Sequence, residues 1–119
     1  MAGYSLLCYI LQIKDRHNAN ILIDSEGHIL HVDFGFMLSN SPGGVNFESN
    51  AFKLTSDFVE VMGGPRSQAF RKFKSQMVKG FLALRKNAEE IISFVEMTMV
   101  ANKHLACFSR GRETILNEL

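Results

Sequence analysis

A β-hairpin pattern that joins two polar motifs is the feature that most constrains this chain. Residues 21–23 and 28–32 are short runs of β-prone side chains, and the turn between them contains Gly27, which can adopt a positive φ. Asn20 precedes the first run and Asp33 follows the second. Because hairpin strands are antiparallel, this spacing predicts that Asn20 and Asp33 lie side by side.

The residue types at these motifs suit phosphoryl transfer. Asn20 and Asp33 offer oxygen ligands of the kind that hold Mg²⁺ on nucleotide phosphates. The spacing from Asp15 to Asn20 is that of a kinase catalytic loop, although protein kinases have His-Arg-Asp where this chain has Asp-Arg-His. His17 is the candidate general base, because an imidazole exchanges protons near neutral pH.

Taken together, these motifs resemble the phosphatidylinositol 3-/4-kinase superfamily, and most of all its type III phosphatidylinositol 4-kinases of the beta type. An isolated Asp-Phe-Gly is weak support, whereas an ordered series over nearly the whole chain is strong. The segments that carry the resemblance are residues 12–24, 26–36, 41–44, 51–55, 62–64 and, more weakly, 106–108.

The resemblance implies ATP and Mg²⁺ (or Mn²⁺) as cofactors and assigns roles to the two motifs. Asp33 is expected to bridge the β- and γ-phosphates through one ion, and Asn20 to hold a second. Phe34 and Gly35 complete the cofactor-binding segment. The alternative for Asp33 is a turn residue before Gly35.

Asp15, Arg16 and His17 are the candidate catalytic residues. Asp15 either orients the His17 ring or takes the base role itself, and the sequence leaves both open. The alternative for His17 is a hydrogen bond that fixes the loop. For Arg16 we predict that it steadies the loop and the Asp33 segment rather than contacting phosphate.

The segment after Asp-Phe-Gly is the candidate substrate loop. Between residues 36 and 52 it contains no Lys or Arg, which fits an inositol headgroup without ring phosphates, since phosphate recognition uses cations. Lys53 is the first cation after it, and is either a contact to the lipid phosphate or a solvated lysine. The predicted substrate-loop residues are Phe36, Ser41, Pro42, Gly43, Gly44 and Lys53.

Composition predicts a packed domain, and the order of helix and strand patterns along the chain predicts an α+β fold, mostly α, with one small β element. The chain has 119 residues, 46% of them apolar, and a net charge of +1, which gives no reason to expect nucleic-acid binding. Cys8 and Cys107 are predicted to be reduced thiols. The most apolar stretch, residues 6–13, is too short to cross a membrane.

The helical patterns share apolar side chains at helical spacing. Residues 3–13, apolar on nearly every side, predict a buried helix. Asn87 and Glu90 form a capping-box pattern. We predict further helices from Thr55 or Ser56 to Gly63, over residues 67–86, after Asn87, and over residues 112–119, the last ending before it buries its apolar face.

Two other patterns have competing interpretations. Seven Lys or Arg and no acid lie between Arg66 and Lys86, which indicates either a solvated helix face or a surface for anionic lipid or an acidic partner. His28, His31 and His104 do not have the spacing of a zinc site.

By resemblance, residues 1–119 are expected to be part of a kinase C-lobe, with the ATP-binding N-lobe and the final helices absent, so that the fragment alone is inactive. The implied reaction converts phosphatidylinositol and ATP to phosphatidylinositol 4-phosphate, in the cytoplasm at Golgi or other internal membranes. The alternatives are a phosphatidylinositol 3-kinase, a related protein kinase, or a non-catalytic regulatory fragment.

Overall fold

The computed structural model describes residues 1–41, 50 and 52–119, and its architecture is mostly helical with one small antiparallel sheet. This confirms the predicted α+β class. The helices are α1 (Ala2–Ile10), α2 (Ser56–Val61), α3 (Gln68–Lys86), α4 (Ala88–Ala101) and α5 (Arg112–Glu118), with single 3₁₀ turns at Asn18–Asn20 and Ala106–Phe108.

The predicted hairpin is present. Strand β1 (Ile21–Ile23) pairs antiparallel with β2 (Ile29–His31), with Ile21 opposite His31. The Asp24 carboxylate closes the turn by accepting hydrogen bonds from the backbone amides of His28 (2.8 Å) and Glu26 (2.9 Å). These bonds, that of His28 first, lower the pKa of Asp24, and Gly27 has the predicted positive φ of 86°.

Helix α1 packs against α3 along one side. Gly80 allows close approach, because a Cβ there would overlap Leu6 Cδ1. The rings of Tyr9 and Phe81 meet edge to face with centroids 6.0 Å apart. Leu7 is 41% exposed, so the prediction of burial on nearly every side of this helix was wrong. In the described part of the chain, α3 contacts Leu6 and Tyr9 and the hairpin contacts Tyr4 and Cys8, and the side of α1 that carries Leu7 is left uncovered.

The bounds of α2 and α3 follow the sequence closely, although the Thr55 side chain does not cap α2. Helix α2 begins after Thr55 and is followed by Gly63 and Gly64, both at positive φ. The Ser67 hydroxyl accepts a hydrogen bond from the Phe70 amide at 3.0 Å, which caps α3 as Ser does at helix N-termini.

The capping box predicted for α4 is not formed. Asn87 immediately precedes the helix, but its side chain does not cap it; instead, its Nδ2 donates to the carbonyl of Ala83 at 2.8 Å. Asn87 therefore satisfies a carbonyl at the C-terminal end of α3. The turn between the two helices is so short that the same residue ends one helix and begins the next.

The main core lies where the segment after Gly35 meets the C-terminal helices. Leu38 is 1% exposed and Ile115 is fully buried, so the prediction that the last helix leaves its apolar side uncovered was wrong. The Ser39 hydroxyl donates to the Cys107 carbonyl at 2.8 Å. The buried cluster consists of Leu38, Val95, Cys107, Phe108 and Ile115.

Cys8 and Cys107 are both buried, and they form no disulfide within the described residues. Burial raises the pKa of Cys107. Within residues 1–41, 50 and 52–119, none of the helices combines the length and apolar character needed to cross a bilayer.

Candidate active site

The loop after α1 runs beside the Asp-Phe-Gly segment. The Lys14 amide donates to the Phe36 carbonyl at 2.9 Å, and the Leu38 amide donates to the Leu11 carbonyl at 3.0 Å. The Lys14 ammonium also donates to the Leu38 carbonyl at 2.5 Å. These bonds fix the two predicted motifs against each other outside the hairpin.

Arg16 ties the two motifs together. Its side chain is buried, with the residue 2% exposed. Its guanidinium donates to the carbonyls of Lys14 (3.0 Å), Val32 (2.8 Å) and Asp33, and lies 5.5 Å from the centre of the Phe34 ring. Hydrogen bonds to three carbonyls offset the cost of burying this charge. These are the contacts expected of the steadying role predicted for Arg16.

We predict that replacing Arg16 with Lys lowers the free energy of unfolding of this chain by roughly 2–4 kcal/mol. An ammonium on a flexible stem cannot replace a planar donor that bonds three carbonyls, and buried acceptors left unsatisfied cost about 1–3 kcal/mol each. Urea unfolding followed by circular dichroism measures the change. Arg66→Lys, at an exposed position, is the matched control, and equal stability of the two variants would contradict the prediction.

Asn20 lies in the 3₁₀ turn that leads into β1. Its backbone carbonyl accepts a hydrogen bond from the Val32 amide at 3.0 Å, which continues the hairpin by one pair and places Asn20 next to the residue before Asp33. Its side-chain Nδ2 donates to the Asp15 carbonyl at 2.9 Å. Because a carbonyl only accepts, this bond fixes the amide nitrogen toward Asp15 and directs Oδ1 elsewhere.

Asp33 has an exposed side chain on a left-handed backbone, with φ of 55°. Its Oδ1 accepts a hydrogen bond from the Gly35 amide at 3.2 Å. The Gly35 carbonyl in turn accepts one from Asn40 Nδ2 at 2.8 Å. Hydrogen bonds to both the amide and the carbonyl of Gly35 therefore stabilise the Asp33–Gly35 turn. Asn40 was not singled out in the sequence, where nothing distinguishes it from other loop asparagines.

His17 and Asp15 face each other beside Asn20. His17 Nε2 lies 3.8 Å from Asp15 Oδ2, and the two side chains are 52% and 29% exposed. Nε2 also lies 3.3 Å from Asn20 Nδ2. An amide nitrogen only donates, so this contact requires Nε2 to act as the acceptor. A proton taken up at Nε2 would create an ion pair with Asp15.

Backbone strain is concentrated in the same region. Four described residues other than glycine have positive φ, namely Gln12, Asp15, Asp33 and Leu38. Such conformations cost of order 1–3 kcal/mol each and persist where the surroundings fix them. Here the hydrogen bonds of Arg16 and the burial of Leu38 hold the backbone in these conformations. Asp also tolerates the left-handed region better than most residues.

The predicted substrate-loop residues are only partly placed. Phe36 and Ser41 are half-buried, and Lys53 is exposed beside a small cavity lined by Tyr4, His31 and Phe58. This cavity lies on the side of the hairpin that faces α1 and α2. Pro42, Gly43 and Gly44 lie outside the described residues.

His31 has a structural role that sequence reasoning did not identify. Its ring stacks on Tyr4 with centroids 4.2 Å apart, and its Nδ1 lies 3.8 Å from Cys8 Sγ. Burial above all, and then the charges of Arg16 and the N-terminus, lower the pKa of His31 from its ordinary value of 6.5. An alternating strand pattern does not predict that His31 packs against α1, because that helix is distant in the sequence.

We predict that this chain loses stability as the pH falls from 7.5 to 5.5. Between the lowered pKa of folded His31 and 6.5, the unfolded chain binds a proton that the folded chain does not, so stability is full above about 6.5 and declines below it. Asp24 titrates well below this range. Urea midpoints at the two pH values measure the effect.

His31→Phe keeps an aromatic ring against Tyr4 and should remove most of this dependence. His104→Phe, at an exposed position, should retain it. If both variants keep the full pH dependence, another group is responsible.

The chain is similar in sequence to known proteins along nearly its whole length. Residues 1–110 match the family described as "Phosphatidylinositol 3- and 4-kinase". The chain belongs to that kinase family. The match covers α1 to α4, the hairpin and both polar motifs, so the described site lies entirely within the phosphatidylinositol 3- and 4-kinase region.

Relatives within this kinase family are similar along nearly the whole chain. Phosphatidylinositol 4-kinase beta 1 of Arabidopsis thaliana is 58% identical over 98% of the chain. Phosphatidylinositol 4-kinase of Dictyostelium discoideum is 56% identical over 97%, and phosphatidylinositol 4-kinase beta of Danio rerio is 55% identical over 98%. The chain spans only 11%, 10% and 14% of these three proteins' lengths.

The donor set fits the hard divalent cation expected of this kinase family. An amide oxygen and a carboxylate, from Asn20 and Asp33, are oxygen ligands of the type that Mg²⁺ binds, and Mg²⁺ needs only one or two protein groups beside water and phosphate. The described residues contain no cluster of three or more His, Cys, Asp or Glu placed to hold a metal.

Proposed function

We propose that residues 1–119 form the catalytic-loop part of a kinase C-lobe in a lipid kinase that transfers the γ-phosphoryl group of ATP to phosphatidylinositol. The observation that carries this proposal is the hydrogen bond from the Val32 amide to the Asn20 carbonyl, which sets Asn20 beside the residue before Asp33. Arg16 joins the same region to the catalytic loop, because it donates to the carbonyls of Lys14, Val32 and Asp33. Phosphoryl transfer depends mainly on positioning and charge stabilisation, and this arrangement fixes both groups on rigid backbone.

The residues have distinct roles in this proposal. Asn20 and Asp33 would hold Mg²⁺, which supplies neutralisation of phosphate charge when bound. His17 accepts the proton of the attacking inositol hydroxyl at Nε2, and the Asp15 carboxylate, 3.8 Å from that atom, stabilises the resulting imidazolium. Arg16 acts through the backbone and does not contact phosphate.

The inositol 4-hydroxyl is proposed as the acceptor because the relatives are named phosphatidylinositol 4-kinases. Unphosphorylated phosphatidylinositol is proposed as the substrate because residues 36–52 contain no Lys or Arg. A headgroup with ring phosphates would be bound more readily by a loop that contains cations. Membrane attachment, at the Golgi or another internal membrane, is part of the same proposal.

A chimaera tests the function directly. In it, this chain replaces the matching segment of the Arabidopsis thaliana phosphatidylinositol 4-kinase beta 1, to which it is 58% identical. We expect the chimaera to phosphorylate phosphatidylinositol in vesicles with ATP and Mg²⁺, to yield the 4-phosphate, and to act much less on phosphatidylinositol 4-phosphate.

Two controls make the result interpretable. The unmodified Arabidopsis kinase sets the reference rate, and a chimaera carrying Asp57→Asn, at an exposed position in α2, shows the effect of an unrelated Asp change. A folded chimaera that transfers no phosphate, or that prefers phosphorylated headgroups, contradicts the proposal.

A further inference from the structure

Helix α3 exposes a cationic side that the proposed catalytic site does not use. At about 100° per residue, its six Lys and Arg fall within an arc of about 160°. All six side chains are exposed. We name this surface the cationic face of α3, and its charged members are Arg71, Lys72, Lys74, Lys79, Arg85 and Lys86.

Two aliphatic side chains lie inside the same arc. Val78 is 61% exposed and Leu82 is 56% exposed, and the helical spacing puts Leu82 near the centre of the arc. The opposite side of the helix carries the buried Phe73 and meets α1 at Gly80. Val78 and Leu82 therefore do not belong to the side of α3 that packs against α1.

The cationic face contains no compensating acid. Residues 61–88 include no Asp or Glu, so the helix lacks the i,i+4 ion pairs that usually accompany exposed Lys and Arg. Unpaired like charges on one face repel each other and are relieved by an anionic partner. Exposed aliphatic groups between the cations favour a partner that has an apolar layer behind its charge.

We propose that the cationic face of α3 binds the surface of an anionic phospholipid bilayer. The six cations contact lipid phosphates and carboxylates, and Val78 and Leu82 enter the interface between headgroups and acyl chains. Amphipathic helices bind membranes through this combination of charge and shallow apolar insertion. The inference goes beyond the membrane attachment included in the proposed function, because it assigns lipid-surface binding to one named helix face outside the catalytic site.

The experiment is flotation of this 119-residue chain with phosphatidylcholine vesicles, with and without 30 mol% phosphatidylserine (roughly the level at which surface potential attracts basic segments). We expect binding to the anionic vesicles only. Lys79→Gln with Arg85→Gln should weaken it roughly 30-fold, since each cation near such a surface contributes about fivefold. Val78→Ser with Leu82→Ser should also weaken it, with no change in charge.

Lys103→Gln with Arg110→Gln removes the same charge from exposed positions outside α3 and should leave binding nearly unchanged. The inference is overturned if both charge variants lose binding equally, or if the chain binds neutral vesicles as well as anionic ones. It is also overturned if the chain does not bind vesicles but binds an acidic polypeptide such as polyglutamate. Because the assay contains no ATP, its failure is distinct from failure of phosphoryl transfer in the chimaera.

Discussion

In the chimaera, Asp33→Asn is expected to reduce the rate of phosphatidylinositol phosphorylation by about 10³-fold or more. A Lewis-acid metal contributes several kcal/mol to the stabilisation of charge in the transition state, and each 1.36 kcal/mol corresponds to a factor of ten. Asn is close in shape and also tolerates a left-handed backbone, so the turn at φ 55° is retained. The loss then reports the missing carboxylate charge.

Labelled-phosphate transfer, measured over a range of Mg²⁺ concentrations, tests this expectation. The Asp57→Asn chimaera should keep its activity, and circular dichroism should show that the Asp33→Asn chimaera is folded. A loss of less than tenfold at saturating Mg²⁺ would mean that Asp33 is a turn residue, held by Gly35, rather than a metal ligand.

His17→Ala is expected to reduce turnover by about 10²–10⁴-fold, the usual contribution of a positioned general base. The side chain is half exposed and contacts Asp15 and Asn20, so its removal should change the rate far more than the stability. Turnover should fall in parallel at every substrate concentration, because the base acts on the reacting hydroxyl. The rate at saturating phosphatidylinositol is the measurement, with His104→Ala as the matched control.

Asp15→Asn decides between the two roles left open for the pair. If His17 is the base and Asp15 stabilises the imidazolium, the Asp15 variant should lose less activity than the His17 variant, and the double variant should lose little more than His17→Ala alone. A larger loss from Asp15→Asn would identify Asp15 as the base. Full activity in both single variants would show that neither Asp15 nor His17 acts in proton transfer.

Local signals in the sequence specified the parts of the structure that local interactions determine. The hairpin turn follows from the Asp24 carboxylate and Gly27, which act within four residues of each other. Helix α3 begins after Ser67 because that hydroxyl bonds the Phe70 amide. The spacing of Asn20 and Asp33 was sufficient to place them at one end of the hairpin, since antiparallel pairing leaves little freedom in a connection this short.

The sequence-based predictions were wrong where a side chain contacts residues distant in the chain, or where it has more than one nearby hydrogen-bond partner available. Asn87 satisfies the α3 carbonyl of Ala83 rather than an amide of α4, and a capping pattern does not distinguish these two bonds. The burial of Ile115 depends on Leu38, 77 positions earlier. The exposed side of α1 is likewise decided by which elements pack on it.

By itself, then, the sequence determined the helices and the hairpin, because backbone propensities and turn hydrogen bonds act between residues that are close in the chain. It also determined the family, because the order and spacing of the motifs can be read directly from the sequence. Only the tertiary structure decided how the site is held together: the three carbonyls bonded by Arg16, the Asn40 bond to Gly35 and the stacking of His31 on Tyr4. Most of these contacts join residues from separate segments, and their formation depends on burial and hydrogen-bond geometry that a linear pattern does not contain.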